Sequence, residues 1–330
     1  MRVAVTGATG HLGANVVREF LDKGHAVRAI ARRVDNPALH GLALERVAAD
    51  VLDPPALGAA FAGCDVVVHL AAKISIRGDR DGEVRRTNVE GTRNAVAAAR
   101  GAGIGRFVHV SSVHAMRLDA VEGIADESRP LVGEGAFAYD RSKAEGERIV
   151  LGAAKDGLDA LVLRPTGIIG PHDFRLSRAG AMLREFFRGE RPFLITGGFD
   201  WVDARDVAAT IAAAVTRGRV GHAYLLSGNW VSIADLARLC GAVGGAERHR
   251  IILPRWMALA ALPFVEALAD LRRGEPLFTR ESLAAVASNT RALSSRKAAD
   301  ELGFTARPVV ETLRDTFDWL NGVRPCGRTD

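Results

Sequence analysis

The first thirteen residues, MRVAVTGATGHLG, constrain this chain more than any other segment. A short apolar run from Arg2 to Val5 leads straight into glycines at Gly7, Gly10 and Gly13. A buried strand that ends in such a loop is a phosphate-binding device. The glycines let the backbone turn sharply and approach a pyrophosphate closely. From His11 to Lys23, the residues Leu12, Val16, Val17, Phe20 and Leu21 recur on one face, which predicts a helix. Its free N–H groups and positive dipole end would face the phosphates. The pattern is T-G-x-x-G-x-x-G, led by Thr6. Its place between a strand and a helix separates it from a plain glycine turn.

Short apolar runs then alternate with helical patterns. Strands are predicted near Arg2–Val5, Ala26–Ala31, Leu44–Ala48, Val66–Leu70, Phe107–Val110 and Ala160–Leu163. Helices are predicted near His11–Lys23, Pro55–Ala62, Glu83–Ala102 and Tyr139–Asp156. This alternation predicts an α/β chain with a Rossmann-like, doubly wound parallel sheet covered on both faces. After Pro165 the rhythm loosens. Small strands are expected at Trp201–Asp206 and Tyr224–Ser227. Ser232 and Asp235 form a capping box for a helix through Cys240. Two short helices around Gly303 and Pro308 are expected between Arg291 and Leu320. Residues 1–165 are thus expected to form the dinucleotide-binding domain, joined by parts of 200–228. Residues 166–330 are expected to form a smaller α+β substrate domain.

Composition narrows the function classes. The net charge is +5 over 330 residues, but the arginines are scattered among alanines with few aromatics, so a nucleic-acid partner is not expected. Cys64, Cys240 and Cys326 are far apart and odd in number, which argues against a disulfide framework or a metal site and for a reducing cytoplasm. No apolar stretch reaches the roughly 18 residues of a membrane span, and no secretory signal is expected. The nearest approach, Trp256 to Leu271, is interrupted by Pro263, Glu266 and Asp270. The segment from Pro254 reads as a lid, an interface or a surface-lying helix ending at Arg272 and Arg273.

The chemistry lies in two later segments. Tyr139 and Lys143 are four apart on a predicted helix, which puts an ammonium beside a phenol on one face. A neighbouring positive charge favours phenolate and is expected to lower the tyrosine pKa. Such a phenol exchanges a proton with a carbonyl or alcohol. The strand Phe107–Val110 ends in Ser111 and Ser112, which places hydroxyls at the carboxyl edge of the sheet, where ligands bind in this architecture.

On these residues the chain resembles an extended short-chain dehydrogenase/reductase. The resemblance runs through TGATGHLG at Thr6–Gly13, Asp50, HLAA at His69–Ala72 and TNVEGTRN at Thr87–Asn94. It continues through VSS at Val110–Ser112, YDRSK at Tyr139–Lys143, RPTGIIGP at Arg164–Pro171 and WVDARDVA at Trp201–Ala208. It implies a catalytic trio of Ser112, Tyr139 and Lys143. Tyr139 would act as acid/base, Lys143 would hold the nicotinamide ribose, and Ser112 would bond the substrate oxygen. It implies cofactor contacts from Thr6, Gly7, Thr9, Gly10, His11, Leu12 and Gly13 and, further on, from Asp50, Val51, Leu70, Ala71, Ala72 and Lys73. Val110, Ser111, Pro165, Thr166, Gly167 and Ile168 complete them, with Asn88 more structural than catalytic. A homodimer through the helices around Glu83–Ala102 and Tyr139–Asp156 is also implied.

NAD-binding relatives carry an acidic residue after the second strand. Here Arg32 and Arg33 stand there, and no Asp or Glu follows until Asp35. A guanidinium pairs bidentately with phosphate, so NADP(H) is the expected cofactor, with NAD(H) as the alternative. The substrate is expected to be a small, largely apolar carbonyl compound or alcohol. Its candidate contacts are Ser112, His114, Met116, Phe137, Phe174 and Trp201, with Ile74 and Ile76 nearby and polar contacts from Lys73, His114 and His172. Val113-His114-Ala115-Met116 and the loop Pro165–Pro171 depart from nucleotide-sugar epimerases. They are closer to the dihydroflavonol-reductase and 3β-hydroxysteroid-dehydrogenase branches. The competing readings are a nucleotide-sugar epimerase or dehydratase with tightly held NAD, and a non-catalytic dinucleotide-sensing regulator.

Overall fold

The computed structural model describes residues 1–79, 81–118, 123–271, 279–288 and 292–322. Cys326, Arg272, Arg273 and Arg291 lie outside them. The first half alternates β1 (Arg2–Thr6), α1 (His11–Asp22), β2 (Ala26–Ala31), β3 (Glu45–Ala48), α2 (Pro54–Phe61) and β4 (Val66–His69). A short α3 (Glu83–Arg85), α4 (Gly91–Gly101), β5 (Arg106–Val110), α5 (Ala138–Lys155) and β6 (Ala160–Pro165) follow. The second half holds β7 (Gly167–Ile169), α6 (Arg178–Phe187), β8 (Phe193–Ile195), β9 (Gly198–Asp203), α7 (Ala204–Ala214) and β10 (Ala223–Leu226). It continues with β11 (Asn229–Ser232), α8 (Ile233–Gly244), β12 (Ile251–Leu253), α9 (Arg255–Leu271), α10 (Arg280–Ser288), α11 (Arg296–Leu302) and α12 (Val309–Leu320).

The main sheet has seven strands in the order β10-β6-β5-β4-β1-β2-β3, with every pair parallel. Alternate residues on each strand point to opposite faces. Val3, Val5, Val66, Val68, Val108, Leu161 and Leu163 pack on α1 and α7 through Val16, Phe20, Val207 and Ile211. Ala4, Val67, Phe107 and Val162 pack on α2, α4 and α5 through Phe61, Ala95 and Val150. Each fully buried Val, Leu or Phe contributes about 1.5–3 kcal/mol, so the two covered faces dominate stability. The order reverses at β1/β4, and ligands of such sheets bind in the crevice outside the carboxyl ends there.

Residues 204–226 return to this layer: α7 lies beside α1, and β10 adds the last strand. The remaining chain forms a three-stranded sheet, β11-β9-β7, and the pair β12-β8, packed on α6, α8 and α12. Ser232 caps α8 by accepting from the Asp235 N–H at 3.0 Å, and its hydroxyl donates to the Asp235 carboxylate at 2.6 Å. Two expected elements shift. The strand expected at Trp201–Asp206 spans Gly198–Asp203, because Asp203 caps α7, its carboxylate accepting from the Arg205 N–H at 2.8 Å. The helix expected over Glu83–Ala102 is broken by a π-helical turn at Arg86–Glu90. Such turns recur at functional sites. Here the turn carries Asn88, whose side chain serves two other segments. No helix among the described residues is long and apolar enough to cross a membrane.

Candidate active site

The phosphate cradle is set by atoms that glycine alone leaves room for. Gly7 has φ +70°, and a Cβ there would lie 2.8 Å from the Ala71 nitrogen. A Cβ on Gly13 would lie 2.2 Å from the Gly7 carbonyl oxygen. Gly10 is the N-cap of α1 and brings no side-chain cap, so the first-turn N–H groups stay open to an anion. A dinucleotide's pyrophosphate fits this cradle. His11 and Asn15 face the other half of the chain: His11 Nε2 lies 3.1 Å from the Pro171 carbonyl oxygen, and Asn15 donates to the same oxygen at 3.0 Å.

Thr6 stands apart from the expected cofactor contacts. It is fully buried, and its hydroxyl is 2.9 Å from His69 Nδ1 and accepts from the N–H groups of Leu70 and Ala71. It joins the ends of β1 and β4. Thr166 is similar: its hydroxyl donates to Asp200 at 2.7 Å. The Asp50 carboxylate accepts from the Leu52 N–H at 3.0 Å, which closes the turn after β3. Val51 is buried, and a Cβ on Gly91 would lie 2.7 Å from its side chain. Arg32 and Arg33 follow β2 directly and are exposed. Asp35, the first acid beyond them, lies 3.1 Å from His40.

The three residues expected to be catalytic, Ser112, Tyr139 and Lys143, converge between β5 and α5. Ser112 caps the turn after β5, its hydroxyl oxygen accepting from the His114 N–H at 3.2 Å. The Ser112 hydroxyl also stands close enough to the Tyr139 phenol to favour its ionised form. Lys143 is buried and donates to the Val110 carbonyl at 2.8 Å. Burial lowers the Lys143 ammonium to about 8, with Glu147 pulling it back up. Burial pushes the Tyr139 phenol up to about 12, with the Ser112 hydroxyl as the opposing influence. The lowering expected from Lys143 does not appear here, where burial of the phenol outweighs every other influence on it. Tyr139 is therefore a protonated donor at neutral pH.

Asn88 fixes the floor of the site. Its carbonyl oxygen accepts from the Lys73 N–H at 2.7 Å. Its amide donates to the Lys73 carbonyl at 3.0 Å and to the Ser142 hydroxyl at 2.8 Å. One side chain thus ties the loop after β4 to the catalytic helix, a structural role. The Lys73 ammonium is ion-paired with Glu83, so this residue's part in the site is its backbone. Beneath the trio, His69 and His109 stack at 5.5 Å, and burial keeps both neutral. Ser111 is buried with no partner for its hydroxyl among the described residues.

The six candidate substrate residues divide. Ser112, His114 and Phe137 border Tyr139. His114 lies edge-on to the Tyr139 ring at 6.2 Å and 3.5 Å from Asp140, and Phe137 is the N-cap of α5. Met116 is core instead, packed with Val113 and Leu225. Trp201 belongs to the core of the second half, against Gly167. Phe174 faces away: it packs on Trp319 at 5.3 Å and under Arg18 at 5.2 Å. All three were expected from apolar character at loop ends, which does not separate a pocket wall from a core.

Sequence reasoning missed Glu147 and Arg164. Arg164 Nε donates to both Glu147 oxygens at 3.0 and 3.1 Å, and both side chains are buried. The signal was present: Tyr139, Lys143 and Glu147 are spaced by four on one stripe of α5.

A parallel sheet of this order, a glycine cradle at its switch point and a Ser–Tyr–Lys trio define a nicotinamide-dependent oxidoreductase of the short-chain dehydrogenase/reductase class. Residues 3–227 match the NAD dependent epimerase/dehydratase family, and the chain belongs to that family. It is 36% identical over 327 residues to the sterol demethylase protein B of Methylococcus capsulatus, covering 97% of this chain and 98% of that one. It is 33% identical over 293 residues to the 2-alkyl-3-oxoalkanoate reductase of Stenotrophomonas maltophilia, covering 85% and 87%. The crystal structure of gox2253 superposes with a TM-score of 0.82 at 31% identity, covering 97% of this chain and 98% of that one.

Proposed function

We propose that this protein is an NADP(H)-dependent reductase of a largely apolar ketone or aldehyde. The observation that carries the reading is the approach of the Ser112 hydroxyl to Tyr139, with Tyr139 held as a phenol on the stripe that bears the buried Lys143. Bound in the cradle, the reduced nicotinamide supplies a hydride. Charge then develops on the substrate oxygen, and the two hydroxyls are placed to meet it together. Tyr139 gives its proton to that oxygen while Ser112 steadies it. Lys143 offers its ammonium to the ribose and eases the charge left on the phenolate. Exposed Ile74 and half-buried Ile76, in the loop after β4, and half-buried Phe137 at the start of α5 suit an apolar substrate. The resemblance to a sterol demethylase component and an oxoalkanoate reductase points the same way.

NADPH preference rests on Arg32 and Arg33, whose guanidinium groups have no ion pair among the described residues. Titration of nicotinamide fluorescence should show tighter binding of NADPH than of NADH. Arg32→Ala should lower that preference about tenfold or more, the worth of a charge-assisted phosphate contact. An unchanged ratio would remove Arg32 from the 2′-phosphate site.

The pH profile offers a second check. Reduction needs the Tyr139 proton and the Lys143 charge. Lys143 loses its charge as pH rises through about 8, well before Tyr139 titrates. The reductive kcat/KM should therefore be level on the acid side of about 8 and fall above it. A rate that climbs with pH there would contradict this assignment.

A further inference from the structure

We infer that Arg175 is a clamp on the cofactor's pyrophosphate, reaching from the second half of the chain to the glycine loop. The inference rests on the dinucleotide reading given above. Arg175 Nη2 donates to the Thr9 hydroxyl oxygen at 3.2 Å, across 166 residues of sequence. Thr9 lies in the cradle, directly before the Gly10 cap of α1. Arg175 is exposed, and no carboxylate pairs with it among the described residues. A guanidinium carries five donors in a planar fork, and a single neutral hydroxyl uses little of that capacity. A pyrophosphate seated on the adjacent N–H groups is the partner that matches the fork.

The backbone around Arg175 is built to hold it there. Among the described residues, only two non-glycines have positive φ, His172 at 63° and Leu176 at 51°, and they flank it. Such conformations persist only where surrounding contacts over-determine them. Those contacts are present. Pro171 is fixed by His11 and Asn15, and His172 Nδ1 lies 3.1 Å from the Asn15 side-chain oxygen. The buried Asp173 carboxylate accepts from the Ser177 N–H at 2.8 Å and lies 4.0 Å from His11 Nδ1. Phe174 is held between Arg18 and Trp319. The whole turn is anchored to the first two turns of α1, so Arg175 keeps its position relative to the cradle.

The test is a titration of wild type, Arg175→Ala and Arg175→Lys with NADPH and with NADH, followed by energy transfer from tryptophan to nicotinamide. Arg175→Ala should raise both Kd values by the same factor, about 10- to 100-fold. Arg175→Lys should recover only part of this, since it keeps the charge and loses the fork. The melting temperature without cofactor should not move, while the cofactor-induced rise in Tm should shrink. An effect on NADPH alone would overturn the pyrophosphate assignment in favour of the 2′-phosphate. Unchanged Kd values for both, with wild type binding normally, would overturn it and leave the dinucleotide reading intact. A wild type that binds neither cofactor would sink both.

Discussion

Tyr139→Phe should reduce kcat for carbonyl reduction by about 10²–10⁴-fold and leave the Kd for NADPH within about twofold. The substitution removes one oxygen. The ring stays edge-on to His114, and α5 keeps its packing. The proton donor is lost, along with half of the hydrogen-bonding pair that meets the developing oxyanion. Ser112 alone of the two hydroxyls then faces that charge. His114 lies edge-on to the ring, but burial lowers its pKa, so it is neutral at pH 7. The measurement is single-turnover reduction beside equilibrium cofactor binding. Full turnover with phenylalanine at this position would mean that the trio is not the catalytic centre, whereas full biological function of a variant without turnover would revive the dinucleotide-sensing reading. Loss of cofactor binding would instead assign the phenol a binding role.

Glu147→Ala should destabilise the fold by about 3–5 kcal/mol, read as a shift in the urea unfolding midpoint. Glu147 is fully buried, and Arg164 is 4% exposed. Removing the carboxylate leaves a guanidinium uncompensated between α5 and β6. The cost is therefore mainly desolvation of an unpaired charge, with little of it a lost surface attraction. A double replacement, Glu147→Met with Arg164→Met, should recover most of the loss, because neither charge remains buried. Glu147 also raises the pKa of Lys143. Glu147→Gln should therefore move the break in the pH profile further to the acid side of about 8. A loss under about 1 kcal/mol for the alanine variant would show that Arg164 reaches water when its partner is gone.

Much of this site is legible in the chain because its physics is local. Gly10 and Gly13 crowd only Gly7 and Ala8, and Gly7 is required by its own φ of +70° even before Ala71 closes on it, so their spacing alone discloses the cradle. Tyr139 and Lys143 share a helical face by virtue of being four apart. The Ser232 cap and the Gly303 terminus of α11, in the left-handed region at φ +73°, are likewise local. Substrate contacts are another matter. Met116, Phe174 and Trp201 share the character of pocket-lining residues, and what separates them from Phe137 is the element lying opposite each one. The tie of the Thr6 hydroxyl to β4 is likewise visible only once β4 is placed beside β1.

The sequence by itself determined the periodicities, the glycine loop and the Tyr–Lys stripe, because each depends on neighbours a few bonds or one helical turn away. From these follow a parallel α/β sheet, a phosphate site and a proton donor. Only the tertiary structure decided where the long-range partners fall. It returned β10 to the main sheet, seated the turn 170–177 on α1 and set Arg164 against Glu147. It also turned the Lys143 ammonium to the Val110 carbonyl. Those contacts join residues from 17 to 166 positions apart, and they are fixed by which faces must be buried together, a constraint that no single segment carries.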